Sequence, residues 1–189
     1  MLEGLKGEKF WKIARRYFVL NGFDGILTVL GITVGSFSTN VTDPKVLITS
    51  SLGAAIALGV SGVSGAYITE KAERLKEFKE LQKDMLSDLD GSVHKKNVTQ
   101  RSIAISVVNG ASPFLCALLS TVPYFFALVG PGTMRAAYYA SGSVALTLLG
   151  LLGAFLGKIS RENLFIYGLK MVGVGLLTAV LSLTLGIGG

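Results

Sequence analysis

Five stretches of this chain, 17–37, 46–68, 102–129, 135–157 and 164–187, match in length and composition the run of roughly 20 apolar residues that crosses a bilayer as a helix. No other feature constrains the fold as much. Backbone amides and carbonyls in hydrocarbon must be paired internally, so only helices and closed barrels can span it. The alternating short segments of a barrel are absent, and each run reads as helix. A mean hydropathy of +0.57, with 50% hydrophobic residues and 24 glycines, also departs from a soluble globular composition. The expected fold is all-α, a polytopic membrane protein with five transmembrane helices.

The 18 Lys and Arg outweigh the 12 Asp and Glu, for a net charge of +6, and their placement points to membrane topology rather than nucleic acid. Lys6, Lys9, Lys12, Arg15 and Arg16 precede the first run. Lys71, Arg74, Lys76, Lys79, Lys83, Lys95, Lys96 and Arg101 lie between the second and third. Lys158, Arg161 and Lys170 lie between the fourth and fifth or just inside the fifth. Only Lys45 and Arg135 fall in the two opposite loops. The positive-inside rule then predicts a cytoplasmic N-terminus and a C-terminus outside or in a lumen. No sorting signal names the membrane, so a prokaryotic plasma membrane is the default expectation, or a vacuolar membrane in a eukaryote. No cleavable signal pattern is visible at the N-terminus, which is charged and amphipathic.

Four segments follow from this pattern. Residues 1–16 form an amphipathic segment, expected as an interfacial helix over 4–16 with Phe10, Trp11 and Ile13 toward lipid. Residues 17–68 hold the first two spans, and Pro44 marks the start of the second. That span is rich in small residues, from Gly53, Ala54 and Ala55 to Gly65 and Ala66, which predicts a central, protein-contacted helix. Residues 69–101 read as a charged cytoplasmic helix that continues the second span to about Leu89 and stops at Gly91. Residues 102–189 hold the last three spans. Asn109, Ser112, Pro113 and Pro123 predict a kink or opened backbone near Pro113, and Ser160 is the expected N-cap of the fifth helix. The segments VLNGFDG (19–25) and VVNGASP (107–113) look alike and run in the same direction, as an internal repeat would.

The chemistry concentrates in two places. Asp24 is the only charge within 17–37, roughly 12 Å past Arg16 along the helix at about 1.5 Å per residue. Such a carboxylate is expensive in lipid and marks an ion or proton path, or else a hydrogen bond to a neighbouring helix. Asn21, Asp24, Thr28, Gly31 and Gly35 recur three and four residues apart and share one face. Gly22 and Gly25 beside Asp24 clear space for a partner helix or a hydrated ion. The second place is Glu70, Glu73, Glu77, Glu80 and Asp84, which occupy an arc of roughly 80° on a helical wheel. Carboxylates beside carboxylates repel unless they gather cations, and oxygen ligands suit Mn²⁺ or Fe²⁺. The alternative is a soluble helix docking a partner through Phe78 and Met85. Asp88-x-Asp90-Gly91 lacks the later ligands of a calcium loop and reads as a helix end. His94 reads as a solvated loop residue, and Cys116, the sole cysteine, as a packing residue ahead of a soft metal ligand. No nucleophile–base pair, phosphate loop or zinc cluster appears, so no enzyme activity is expected.

Three stretches, NGFDGILTVLGITVG (21–35), LGVSGVSGAYITEKAER (58–74) and LTLLGLLGAFLGKISRENLFIYGLKMVGVGLLTAVLSLTLG (146–186), resemble the vacuolar iron transporter family of Fe²⁺/Mn²⁺ carriers. The resemblance implies a five-helix protomer with a cytoplasmic N-terminus, in a homodimer whose ion path runs between the two first helices. The family's membrane-embedded Asp falls on Asp24, and its metal-gathering glutamates resemble Glu70, Glu73, Glu77 and Glu80. The family's second-span methionine corresponds to Gly62, and the segment 69–101 is shorter than the family's metal-binding domain.

The expected function is export of Fe²⁺ or Mn²⁺ from the cytoplasm, with proton antiport as the coupling, since proton and metal compete for one carboxylate. Asp24, Asn21, Thr28 and Gly62 would line the path. Asp24, Glu70, Glu73, Glu77, Glu80 and Asp84 would bind the ion. The metal is cargo, and no tightly bound cofactor is expected. The partners expected are the bilayer and a second copy of the chain. The alternatives are a non-transporting membrane scaffold or a carrier of another cation.

Overall fold

A computed structural model of the chain describes residues 2–85, 93–130 and 132–187, and these form five α-helices without a strand. They are α1 (Leu2–Ser38), α2 (Pro44–Met85), α3 (Val93–Val129), α4 (Met134–Ser160) and α5 (Leu164–Ile187). Each contains a segment long and apolar enough to span a membrane: Phe10–Ser38, Pro44–Glu77, Ser102–Val129, Met134–Ser160 and Leu164–Leu185. Large apolar side chains remain exposed along them, among them Ile56, Val60, Leu151, Phe165, Leu177 and Leu181. An apolar surface on that scale is suited to lipid rather than water.

The helix ends follow local chemistry. Asn40 turns the chain out of α1 with a left-handed φ of 55°, a conformation asparagine tolerates. Asp43 Oδ1 then accepts the Lys45 amide at 2.9 Å, and Pro44 opens α2. Thr133 caps α4, accepting from the Ala136 amide. Ser160 is not the N-cap of α5. It closes α4, its Oγ donating back to the Leu156 carbonyl at 2.9 Å. Arg161 adopts φ 56°, which moves the cap on to Asn163, whose Oδ1 accepts the Phe165 amide at 2.9 Å.

Residues 4–16 are continuous with the first span in a single helix, α1. The second span likewise runs on unbroken through 42 residues, about 63 Å of helix against roughly 30 Å of hydrocarbon. Asp88, Leu89, Asp90 and Gly91 lie outside the described residues. His94 belongs to the first turn of α3 rather than to a loop. Helix α3 runs through both Pro113 and Pro123.

The central helix is α3, not α2. It packs against α1, α2 and α4, whereas α2 meets chiefly α3 and only lightly α1. Gly53, Ala57, Ser61 and Gly65 of α2 are exposed. Small residues permit a close crossing without dictating how many a helix makes. The apolar core joins Ile26 and Leu30 of α1, Cys116 of α3, and Ala145, Leu149 and Leu152 of α4. Cys116 is buried there as a packing group.

The tightest crossing sets α1 against α3. A β-carbon at Gly25 would lie 2.8 Å from Pro113 Cα, nearer than real side chains approach. Gly25→Ala is therefore expected to cost about 1–3 kcal/mol through overpacking. Gly53→Ala, with nothing within 4 Å of the new carbon, should be near neutral. Thermal unfolding of the two variants in detergent compares them directly.

Candidate functional site

The face shared by Asn21, Asp24, Thr28, Gly31 and Gly35 is divided by its neighbours. Asn21 is half-buried, and its Nδ2 donates to the Tyr17 carbonyl at 3.0 Å and to Asn109 Oδ1 on α3. Asp24 is exposed on the outside of the bundle, with no ion pair among the described residues. Thr28 Oγ1 donates to the Asp24 carbonyl at 2.8 Å. Gly31 lies beside Ser182 of α5, and Gly35 faces open space. Gly22 and Gly25 clear room for the backbone and side chains of α3, at Ser112, Pro113 and Cys116, rather than for an ion.

Gly62 does not face Asp24. Its carbonyl accepts from Asn109 Nδ2 at 2.7 Å, and a β-carbon there would sit 3.0 Å from Gly110 Cα. A methionine at this position would force α2 and α3 apart. The result is a three-helix relay, from Asn21 on α1 through Asn109 on α3 to the Gly62 carbonyl on α2. Ser112 Oγ adds a bond to the Phe18 carbonyl. The two similar segments, 19–25 and 107–113, thus meet at one depth through their own asparagines.

The acidic arc is spread along α2. Glu70 is buried, 3.3 Å from the Arg74 guanidinium, and accepts from the Tyr17 hydroxyl at 3.4 Å. Glu73 and Glu77 are exposed, and Glu80 lies 3.9 Å from Lys76. Asp84 is in the last turn of the helix. The i,i+4 pairs Glu70–Arg74 and Glu80–Lys76 interleave cations with the acids, so the arc is less self-repulsive than a wheel implies. Among the described residues no three His, Cys, Asp or Glu side chains converge as a metal site.

A second polar line was not anticipated from the sequence. Ser102, Ser106, Asn109, Ser112, Cys116, Ser120 and Tyr124 are all buried and follow one another on α3 at spacings of three and four. They form one inward face about 33 Å long at 1.5 Å per residue, roughly the thickness of the hydrocarbon core. The spacing is visible in the sequence, although Pro113 and Pro123 interrupt it as a helix signal. This inner line is neutral, in contrast to the carboxylate outside.

No family model matches the sequence. The chain is 32% identical over 169 residues to the uncharacterized protein MJ0645 of Methanocaldococcus jannaschii, a match covering 88% of this chain and 85% of that one. The chain belongs to the family of MJ0645. Because the match takes in most of both MJ0645 and this chain, it describes the bundle as a whole rather than one shared segment.

The relay predicts a measurable coupling. In a double-mutant cycle of Asn21→Ala and Asn109→Ala, the interaction energy should be about 0.6 kcal/mol and at most near 1.7 kcal/mol, the range of interhelical hydrogen bonds in membranes. Unfolding free energies in bicelles provide the test, and additive effects would show that the two side chains act independently.

Proposed function

We propose that the chain carries a divalent metal cation, Fe²⁺ or Mn²⁺, out of the cytoplasm, with Asp24 as its ligand at mid-depth. The observation that carries this reading is the exposure of Asp24 on the outer face of a spanning helix. A charged carboxylate near the helix centre costs about 3 kcal/mol on insertion scales, so its retention calls for a partner. A cation held between two copies of Asp24 would supply one. The rest of the face suits a second copy, since Thr28, Gly31 and Gly35 are small, and Gly31-x-x-x-Gly35 is a helix-association spacing. The exposed row Gly53, Ala57, Ser61 and Gly65 on α2 supports the same homodimer.

Glu70 lies toward the basic end of the same route. Tyr17, its hydrogen-bond partner, precedes Asp24 by two helical turns, about 10 Å. A cation drawn to Glu70 would pass next to Asp24, where a proton competes for the carboxylate, the physical basis for antiport. The charge placement supports a cytoplasmic N-terminus, and the resemblance to vacuolar iron transporters supports the cargo. Gly62 contributes packing rather than a soft ligand. The pairs Glu70–Arg74 and Glu80–Lys76 favour a second reading, a membrane scaffold whose α2 extension is an ordinary solvated helix.

Two experiments separate these readings. In proteoliposomes the parent should take up Mn²⁺ or Fe²⁺ down its gradient, and Asp24→Asn should slow uptake at least about tenfold, equivalent to about 1.4 kcal/mol. Equal rates would remove Asp24 from the path, and a parent that moves no divalent ion would leave the scaffold. For the dimer, Gly35→Cys in a Cys116→Ser background should cross-link under oxidation, while Leu151→Cys on the exposed face of α4 should not.

A further inference from the structure

Beyond Asp24, the bundle closes around a layer of hydroxyl groups drawn from four helices. Thr33 of α1, Ser51 of α2, Ser120, Thr121 and Tyr124 of α3, and Ser141 of α4 are each at most 4% exposed. The Tyr124 hydroxyl donates to Thr33 Oγ1 at 3.0 Å, and Thr33 Oγ1 lies 3.3 Å from Ser141 Oγ. Ser141 Oγ donates to the Ser120 carbonyl at 2.7 Å. Ser120 and Thr121 donate along their own helix to the carbonyls of Cys116 and Ala117.

Ser51 stands apart. It is fully buried, yet its Oγ meets no hydrogen-bond partner among the described residues. The helix register says where it points. Helix α2 runs antiparallel to α3, with Gly62 on Gly110, Ala55 packed with Ala117, and Leu47 and Ile48 packed with Tyr124. Ser51 shares the inward face of Leu47 and Ala55 and falls opposite Ser120 and Thr121. An unpaired hydroxyl at such a place is strongly disfavoured in hydrocarbon.

We propose that Ser51 and the facing hydroxyls bind an internal water molecule, which accepts from Ser51 and ties α2 into the network already joining α1, α3 and α4. Water fits the donor set. Hydroxyls both donate and accept, which is what a buried water needs from its two to four partners. The six groups carry no charge, so they cannot compensate the dehydration of a divalent ion. Thr33 lies nine residues beyond Asp24, about 13 Å along α1, so the site is separate from the carboxylate and independent of the transport reading.

Ser51→Ala in the full-length protein in nanodiscs tests this by two readouts. With a bound water, X-ray hydroxyl-radical labelling should oxidise Tyr124 despite its burial, and the variant should slow that labelling several-fold without any gain in thermal midpoint. In a dry layer the variant deletes an unpaired hydroxyl, so the midpoint should rise while Tyr124 stays unlabelled in parent and variant alike. That result would overturn the proposal. If Ser51→Ala does not fold, the parent decides alone: labelled Tyr124 supports the water, and unlabelled Tyr124 excludes it.

Discussion

The close approach of α3 to α1 and α2 is the constraint on which the rest of the bundle depends. In lipid no hydrophobic force drives one apolar helix onto another, so association rests on tight packing and hydrogen bonds. Here both act at one depth. Gly25 meets Pro113, Gly62 meets Gly110, and the Asn21–Asn109–Gly62 relay runs between them. Pro113 has no N–H, so the Asn109 carbonyl loses its partner one turn on. That carbonyl lies against Gly62, where the absence of a side chain lets α2 come near. Once Asn21, Gly22 and Gly25 are committed to α3, the direction of Asp24 is no longer free. At about 100° per residue it stands 100° from Gly25 and 200° from Gly22, on the side α3 does not cover.

Two kinds of polar group are thereby sorted. Most serines, threonines and asparagines of the interior find partners within the chain, chiefly backbone carbonyls of their own or a neighbouring helix. They line the inner face of α3 from Ser102 to Tyr124 and are buried. An ionised carboxylate only accepts, and a neutral interior compensates its charge poorly. Asp24 accordingly stands outside the bundle, without an ion pair among the described residues. The inner line holds the helices together, and the one carboxylate of the span stays on the outer face.

The parts of this arrangement that depend on one helix at a time were legible in the sequence. The five spans, the extension of α2 and the packing role of Cys116 follow from run length, periodicity and burial propensity. The parts that depend on two helices were not. Composition marks Gly62 as small but does not say that Asn109 fills the space beside it. The glycines flanking Asp24 read as room for a partner helix or a hydrated ion, and only the fold shows that α3, through Ser112 and Pro113, takes it. A helical wheel separates the acids of α2 from its lysines. Long side chains reach across the wheel, as Glu80 and Lys76 do, at 3.9 Å. Ser160 and Asn163 are both good caps, and only the left-handed turn at Arg161 selects the second.

Glu70 shows how structure and transport bear on each other. Its carboxylate is held by Arg74 and by the Tyr17 hydroxyl, and Arg74 Nε is itself buried without a hydrogen-bond partner among the described residues. Glu70 is buried while Arg74 is partly exposed, so loss of the guanidinium would leave the buried carboxylate uncompensated, the costlier of the two losses. Under the transport reading, a cation reaching Glu70 would have to take over the role of Arg74. A monovalent ion would replace one charge with one and gain little. A divalent ion would bring twice the charge to the same carboxylate, so under that reading displacement of Arg74 asks for a divalent ion, while an undisturbed Glu70–Arg74 pair is what a scaffold would keep.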